Sequence, residues 1–452
     1  MRRIGLIAGL MLAAGAGLAT QACVQALAVE WSAPMPVPGS RGTAVSRVAV
    51  SRDDTVAVAG DQGFVAIRLP AGRWLRVHTL AGAGRLITST CVAFDARGRL
   101  FIAWTQAKGS QGAYRGPFEI RTETWTRGGG WGRVTVLGRS GNFRLAQPQI
   151  ATDARGDAIV SWRGLRRTGS HLVEAVSTSF RPANRGWGPT QQTASGGPYR
   201  DVTLDAHGNA YAVWTTYASR NWFSMRPLGS GRWGSPRALP GSPASAPTVA
   251  ATPRGAALIA WRAAIVDSEG EGTQYGPVRA IVRTPSGRWG RVQALSGVRV
   301  HGVQAAVSPT TGHVLLTWGA PPQSTTHPVP GATDMRFSLF SGAGALSPER
   351  VAPGSAAGPL AYRPNGDAVV VFSETAPAPA GPGVLGPIRF TALVTREPTF
   401  SEPVTIVAHG VMPALAGAPT TSGRIEMAMS YATAGGQLAL SILAARPGEP
   451  RG

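Results

Sequence analysis

The chain of 452 residues holds only two cysteines, Cys23 and Cys91, and a single lysine, Lys108. So little cysteine excludes a disulfide-stapled scaffold and any paired-cysteine metal motif. None is needed, because a chain of this length buries a large core without cross-links. Cys91 has no partner and lies in an apolar, strand-length run, so it reads as a small buried hydrophobe. Past the first 28 residues no apolar run approaches the roughly 20 residues that span a bilayer. The late run Leu438 to Ala445 is only strand-length. His-Glu-x-x-His, a phosphate loop and a Ser nucleophile elbow are all missing. No cofactor or metal is expected.

Acids are also scarce. Asp and Glu number 23 against 44 Lys and Arg, giving a formal charge of +21 that is almost entirely arginine. GC-rich coding would produce that bias without function. In either case so basic a chain is drawn to anionic polymers such as uronic-acid glycans, teichoic acids or acidic head groups, and salt weakens the attraction. The arginines are dispersed and no nucleic-acid motif accompanies them, so nucleic acid is not an expected partner.

Residues 1–28 read as a secretory signal: Arg2 and Arg3, an apolar core from Ile4 to Ala19, and Ala26-Leu27-Ala28 as the cleavage site. Removing it leaves 44 − 2 − 23 = +19. Cys23 as a lipidation site is the alternative, but Thr20-Gln21-Ala22 lacks the Leu and small residue that such a site favours. The expectation is an exported, monomeric protein with no membrane span.

What the chain does have is a repeat. Asp-x-x-Gly, five residues, then Trp recurs from Asp95 to Trp104, Asp153 to Trp162 and Asp205 to Trp214. Weaker copies run from Thr252 to Trp261, Gly312 to Trp318 and Gly366 to Phe372, and a second Trp closes the clear copies at Trp131, Trp187, Trp233 and Trp289. A period near 50 residues marks a radial or stacked repeat fold. Each copy reads as four strands: a short one, the Asp-x-x-Gly turn, an apolar one, an alternating one, and a last one opened by the second Trp. Four strands per copy is one blade of a β-propeller. The first strand keeps a small residue at one site (Ala93, Ala151, Thr203, Ala250, Ala306, Ala361), as strands converging on an axis require.

The expected fold is therefore all-β: a propeller of about eight four-stranded blades over residues 29–446, with seven as the alternative count and a polar tail at 447–452. The final unit shows only three strands. Trp31-Ser-Ala-Pro34 matches Trp233-Gly-Ser-Pro236, so the N-terminal strand is expected to complete the last blade and close the ring, removing exposed edges. The repeated tryptophans read as inter-blade packing, since each buries about 150–250 Å². The repeated Asp residues read as turn formers.

The repeat length and the Trp-Gly and Gly-Gly elements resemble secreted bacterial propellers, including the fucose-binding propeller lectins. No lectin sugar contact maps onto this chain. Sialidase repeats carry Ser-x-Asp-x-Gly-x-x-Trp; here Trp follows Gly by six positions, a different spacing. The resemblance implies a propeller binding a glycan, or a protein, rather than a specific activity.

In such a fold the Asp-x-x-Gly turns share one face with the turns before the second Trp. The other face carries the variable loops Gln106 to Gly116, Arg163 to His171, Arg262 to Gly276, Gly319 to Asp334 and Glu374 to Gly386. Functional groups concentrate on such loops. Arg144, Arg166, Arg167, Arg200 and Arg299 are candidates to ring the mouth of the axis, where guanidinium groups bind carboxylates bidentately. His171, Tyr199, Asp201 and His301 join them as candidate ligand contacts, and Asp201 reads chiefly as a salt-bridge partner. Glycoside hydrolysis would need two carboxyl groups, but Asp201, Asp267, Glu269, Glu271, Asp334 and Glu374 show no diagnostic pair. A lyase would use His171 or His301 with Tyr199 and Arg200. Asp267-Ser-Glu-Gly-Glu271 resembles the start of a calcium loop without its distal Glu. The leading expectation is a non-catalytic glycan- or protein-binding propeller, with a carbohydrate-active enzyme as the alternative.

Overall fold

The computed structural model describes residues 31–444 apart from 44–45, 81–84, 111–112, 141–145, 169–170, 193–198, 217–218, 241–243, 267–272, 297–299, 321–333, 342–345, 356–357, 374–385, 395–398, 402, 418–423 and 434–436. The expected signal segment, the C-terminal tail and the calcium-like run at 267–272 lie outside the described residues. Every described element is a β-strand. Among these residues no helix is long and apolar enough to cross a membrane.

The repeat becomes eight blades. Blade 1 is Ser46–Val50, Val56–Gly60, Phe64–Arg68 and His78–Thr79, each antiparallel to the next. Blade 4 is Tyr199–Leu204, Ala210–Thr215, Asn221–Arg226 and Arg237–Ala238; blade 5 is Ala244–Ala251, Ala257–Val266, Thr273–Arg283 and Gln293–Ala294. The first strands pack against one another in sequence, blade 8 returning to blade 1, so the sheets form a ring. The long strand Val404–Gly417 serves two blades: its start pairs with Gly386–Val394 of blade 7 and its end with Ile425–Ala432 of blade 8.

The second strands are apolar on both faces because they are covered on both. Ala210–Thr215, Val314–Ala320 and Ile425–Ala432 are buried along their whole length. Trp104, Trp162, Trp214, Trp261 and Trp318 are buried and fill the wedge toward the preceding blade: Trp261 packs with Tyr211, Val213 and Phe223, and Trp318 with Ala260 and Val278. The second tryptophans also reach backwards. Trp131 stacks on His78 with centroids 3.8 Å apart, Trp289 lies 4.8 Å from Phe223, and Trp233 Nε1 donates to Thr178 Oγ1 at 2.8 Å. Tryptophan at these positions is inter-blade mortar, as the repeat pattern implies.

The repeated acids do shape the turns. Asp205 Oδ1 accepts from the backbone N–H groups of His207 and Asn209, both at 2.9 Å, and Gly208 adopts φ +78°, a region open to glycine. Asp95 and Asp153 repeat this pattern. From the same turns arginines cross to the next blade: Arg52 donates to Ala96 O, Arg99 to Gly156 O and Arg155 to His207 O. Part of the arginine excess is thus spent on holding neighbouring backbones together.

The ring closes as the N-terminal sequence implies. Met35 and Pro36 pair with Leu440 and Ala439, and Trp31 bridges Leu443. Val37 N donates to Leu438 O at 3.0 Å, and Ser40 Oγ accepts from Leu438 N at 3.1 Å. Trp31 meets Phe390 of blade 7 edge-on, in the slot that the second Trp occupies elsewhere.

Candidate functional site

The two faces separate as expected. Arg99 Nη1 donates to Ala183 O and Ala183 N to Asp157 Oδ1, so the Asp-x-x-Gly turns and the outer turns before the second Trp lie side by side. The opposite face differs from the expectation in one respect. In blades 2, 3 and 5 much of what reads as loop after the central Trp is extended hairpin, while most of the expected loops Gly319 to Asp334 and Glu374 to Gly386 lies outside the described residues. In blade 3 the ladder continues until Thr168 faces His171, in blade 5 until Val266 faces Thr273, and in blade 2 until Ser110 faces Ala113. The pairing is unbroken in blade 3 and passes a register shift in blades 2 and 5, so these segments form extended arms.

The candidate residues from the sequence divide accordingly. Arg166 and Arg167 are strand positions opposite Val173 and Leu172, with His171 at the tip of the same hairpin. Tyr199 and Arg200 open the innermost strand of blade 4, and His301 opens that of blade 6. Arg144 and Arg299 lie outside the described residues. Asp201 is described, and its carboxylate is engaged between blades: Oδ2 accepts from Thr248 Oγ1 at 2.9 Å and Val249 N at 3.0 Å, while Oδ1 accepts from Val202 N. These bonds tie Asp201 onto the innermost strand of blade 5. The described residues hold no cluster of three metal-ligating side chains.

A different place combines space with ligand-competent groups. Between the outer edges of blades 4 and 5 lies a cleft of about 370 Å³, lined by Phe223, Met225, Arg237, Arg283, Gly287 and Trp289 among others. One repeat position along this seam differs between blades. The residue four after the second Trp is His78 in blade 1, Gln191 in blade 3 and Gln293 in blade 5. Each closes onto the next blade: His78 stacks on Trp131, Gln191 Nε2 donates to Gly231 O, and Gln293 Oε1 accepts from Leu346 N. In blade 4 this position is Arg237, which is exposed and lines the cleft together with Trp289; blade 2 carries Thr135 there and blade 6 Arg350.

The opposite wall is fixed. Arg283 Nη1 donates to Tyr211 Oη at 3.0 Å, and Tyr211 Oη donates to Asp205 Oδ2 at 2.9 Å. Burial first, and the Asp205 charge second, push the Tyr211 phenol well above its ordinary range, so it stays protonated and the relay holds. Gly287, at φ +89°, keeps room for Arg283: a Cβ there would stand 2.9 Å from Nη2. The cleft thus offers a half-buried indole, an anchored guanidinium and an exposed one. None of these three residues stands out as a ligand contact when the blades are read singly. Aligning the blades does not single out the exposed arginine either, since blade 6 carries Arg350 where blade 4 carries Arg237.

No protein-family model matches the chain, and no curated relative matches it in sequence. Solved structures do resemble it. One is a chain of a mitotic checkpoint complex, with 12% identity and a TM-score of 0.46, covering 93% of this chain and 95% of that one. Another is a polysaccharide lyase, an ulvan lyase bound to -[GlcA(1-4)Rha3S]-, with 10% identity and a TM-score of 0.47, covering 77% of this chain and 90% of that one. An α-L-arabinanase from Penicillium chrysogenum complexed with arabinobiose has 12% identity and a TM-score of 0.39, with coverages of 79% and 93%. None reaches a TM-score of 0.5, so the architecture rests on this chain's own sheets: it is an eight-bladed β-propeller closed by its N-terminal strand.

Proposed function

We propose that the protein is an exported glycan-binding propeller, and that it holds an anionic saccharide in the cleft between blades 4 and 5. One observation carries this reading: Trp289 and two guanidinium groups, Arg237 and Arg283, line a single cleft of about 370 Å³. The C–H face of a sugar ring is apolar and stacks on an indole, while a carboxylate or sulfate pairs bidentately with guanidinium. The volume sits at the lower end of ordinary small-molecule sites, about 300–1,000 Å³, which suits one or two sugar units. The lining offers no carboxyl or imidazole for proton transfer, which supports binding rather than bond cleavage at this place.

The hairpin arms carrying Arg166, Arg167 and His171 supply a second surface on the opposite face, where a protein or a further glycan segment would contact several blades. The test of the main reading is calorimetric titration with trigalacturonate. Wild type binds, and Trp289→Ala and Arg237→Ala each weaken binding at least about tenfold, equivalent to about 1.4 kcal/mol. Equal affinity in all three proteins, or no binding by wild type, overturns it.

A further inference from the structure

The cleft is one position on a longer feature. In each of blades 1 to 5 the outer turn places an arginine beside the closing tryptophan: Arg73 with Trp74, Arg133 with Trp131, Arg185 with Trp187, Arg232 with Trp233 and Arg288 with Trp289. All five arginines are exposed and all five tryptophans are half-buried. Among the described residues, no ion pair or side-chain hydrogen bond engages any of the five guanidinium groups. Blades 1 and 5 add Arg76 and Arg291, also exposed. No Asp or Glu occurs between the third and fourth strands of these five blades.

Blades 6 to 8 break the pattern together. Blade 6 closes on Leu346-Ser-Pro-Glu349, blade 7 on Phe400-Ser-Glu402 and blade 8 on Trp31-Ser-Ala-Pro34. The basic rim is therefore an arc over five of eight blades, all on the face of the Asp-x-x-Gly turns. Adjacent outer turns are linked across it, as when Gln191 Nε2 donates to Gly231 O. Packing does not explain the arginines, since their side chains point into solvent while the tryptophans beside them do the packing.

We propose that this arc is a track for one long linear polysaccharide bearing carboxylate or sulfate groups along its length, running around the rim through the blade 4–5 cleft. The pairing of each arginine with a half-buried indole favours a sugar polymer over a phosphate polymer, because only the sugar presents an apolar ring face to stack. Several weak turn-by-turn contacts on one chain reinforce each other through effective concentration. The inference extends the reading of the cleft from a saccharide to a polymer, and it stands or falls on different residues.

The test compares two triple variants of the full chain. R73Q/R133Q/R185Q removes rim charge from blades 1 to 3 and leaves the cleft intact. R41Q/R220Q/R424Q removes three exposed arginines that lie away from the outer turns. With long-chain polygalacturonate, the rim triple weakens binding at least tenfold and lowers the slope of log K against log salt by about two to three, the size expected for three lost ion contacts. The control triple changes affinity less than threefold. Trigalacturonate binding is unchanged in the rim triple and lost in Trp289→Ala. Equal losses in both triples reduce the effect to bulk attraction and overturn the track. So does polymer binding no tighter than trisaccharide binding, or equal affinity for inorganic polyphosphate. If the trisaccharide fails to bind while polymer binding still depends on the rim, the cleft reading falls and the track stands.

Discussion

Blades 2 to 5 and blades 6 to 8 are built to one plan with different materials. In the first group the inter-blade wedges are filled by two tryptophans each: Trp104 and Trp131, Trp162 and Trp187, Trp214 and Trp233, Trp261 and Trp289. Blade 6 keeps Trp318 but closes on Leu346, and blade 7 uses Phe372 and Phe400 at the two sites. These smaller residues still do the same job: Phe400 meets Phe337 at 4.8 Å, edge-on, and Leu346 packs with Trp318 and Phe340. The wedge must be filled, but its filler is negotiable. The outer-turn arginines behave differently. An arginine stands within two residues of the closing tryptophan in each of blades 1 to 5, whereas the closing residues of blades 6 to 8, Leu346, Phe400 and Trp31, have none so near. The fold does not require these arginines, which is why the proposed binding track is assigned to their arc.

The largest effect is expected at the ring closure, in blade 8 of the second group. Deleting residues 31–40 removes the fourth strand of blade 8, with the Met35–Leu440 pairing and the Ser40 contacts to Leu438. The truncated chain is expected to melt far below wild type and to aggregate through its opened edge. A wild-type melting curve in calorimetry would show that the ring closes without this strand. Next comes the filler itself. Trp261→Ala leaves a cavity in a fully buried wedge and is expected to cost about 3–5 kcal/mol. Trp261→Phe is expected to cost far less, because blade 7 already relies on Phe372. Denaturant unfolding of both variants measures the ratio.

Turn acids give a smaller effect. Asp205 accepts from two backbone N–H groups, from Asn209 Nδ2 and from Tyr211 Oη. Asp205→Ala is expected to lose about 2–3 kcal/mol, since several buried donors are left unpaired. It also frees Tyr211 and with it Arg283, so trigalacturonate affinity should fall alongside stability. An unchanged affinity would detach the relay from the cleft.

The smallest effect separates Asp153 from its equivalents. Asp95 Oδ2 pairs with Arg99 and Asp205 Oδ2 with Tyr211, whereas Asp153 Oδ2 is buried without a hydrogen bond. Burial, and then the nearby Asp157 charge, push its carboxyl up to about 6 from an ordinary 3.8. As pH rises between about 4 and 6 the unfolded chain releases this proton first, so the group lowers stability progressively and fully above 6. Asp153→Asn retains the Oδ1 acceptor for Arg155 N and Asp157 N. It is expected to match wild type below pH 4 and to be the more stable protein above pH 6. Denaturation midpoints across that range check the sign.

The architecture was legible because packing repeats in sequence. The Asp-x-x-Gly to Trp spacing fixes turn and buried strand alike, and Trp31-Ser-Ala-Pro34 betrays the missing strand of blade 8 by its likeness to other closing strands. The site was less legible. Trp289 looks like any other closing tryptophan, and Arg237 like one arginine among many. In blades 2, 3 and 5 the segments that read as variable loops are strand for much of their described length, because hairpin ladders extend wherever backbone groups can keep pairing.

By itself, then, the sequence determined the blade plan, the turn chemistry and the way the ring closes, all local patterns copied from unit to unit by the same steric and hydrogen-bonding demands. Only the tertiary structure decided which side chains of different blades meet. It joined Arg283 through Tyr211 to Asp205, tied Asp201 to the next blade, and set Arg237 and Trp289 in the lining of one cleft. Those contacts depend on how neighbouring sheets are inclined about the axis, and no single repeat encodes that angle.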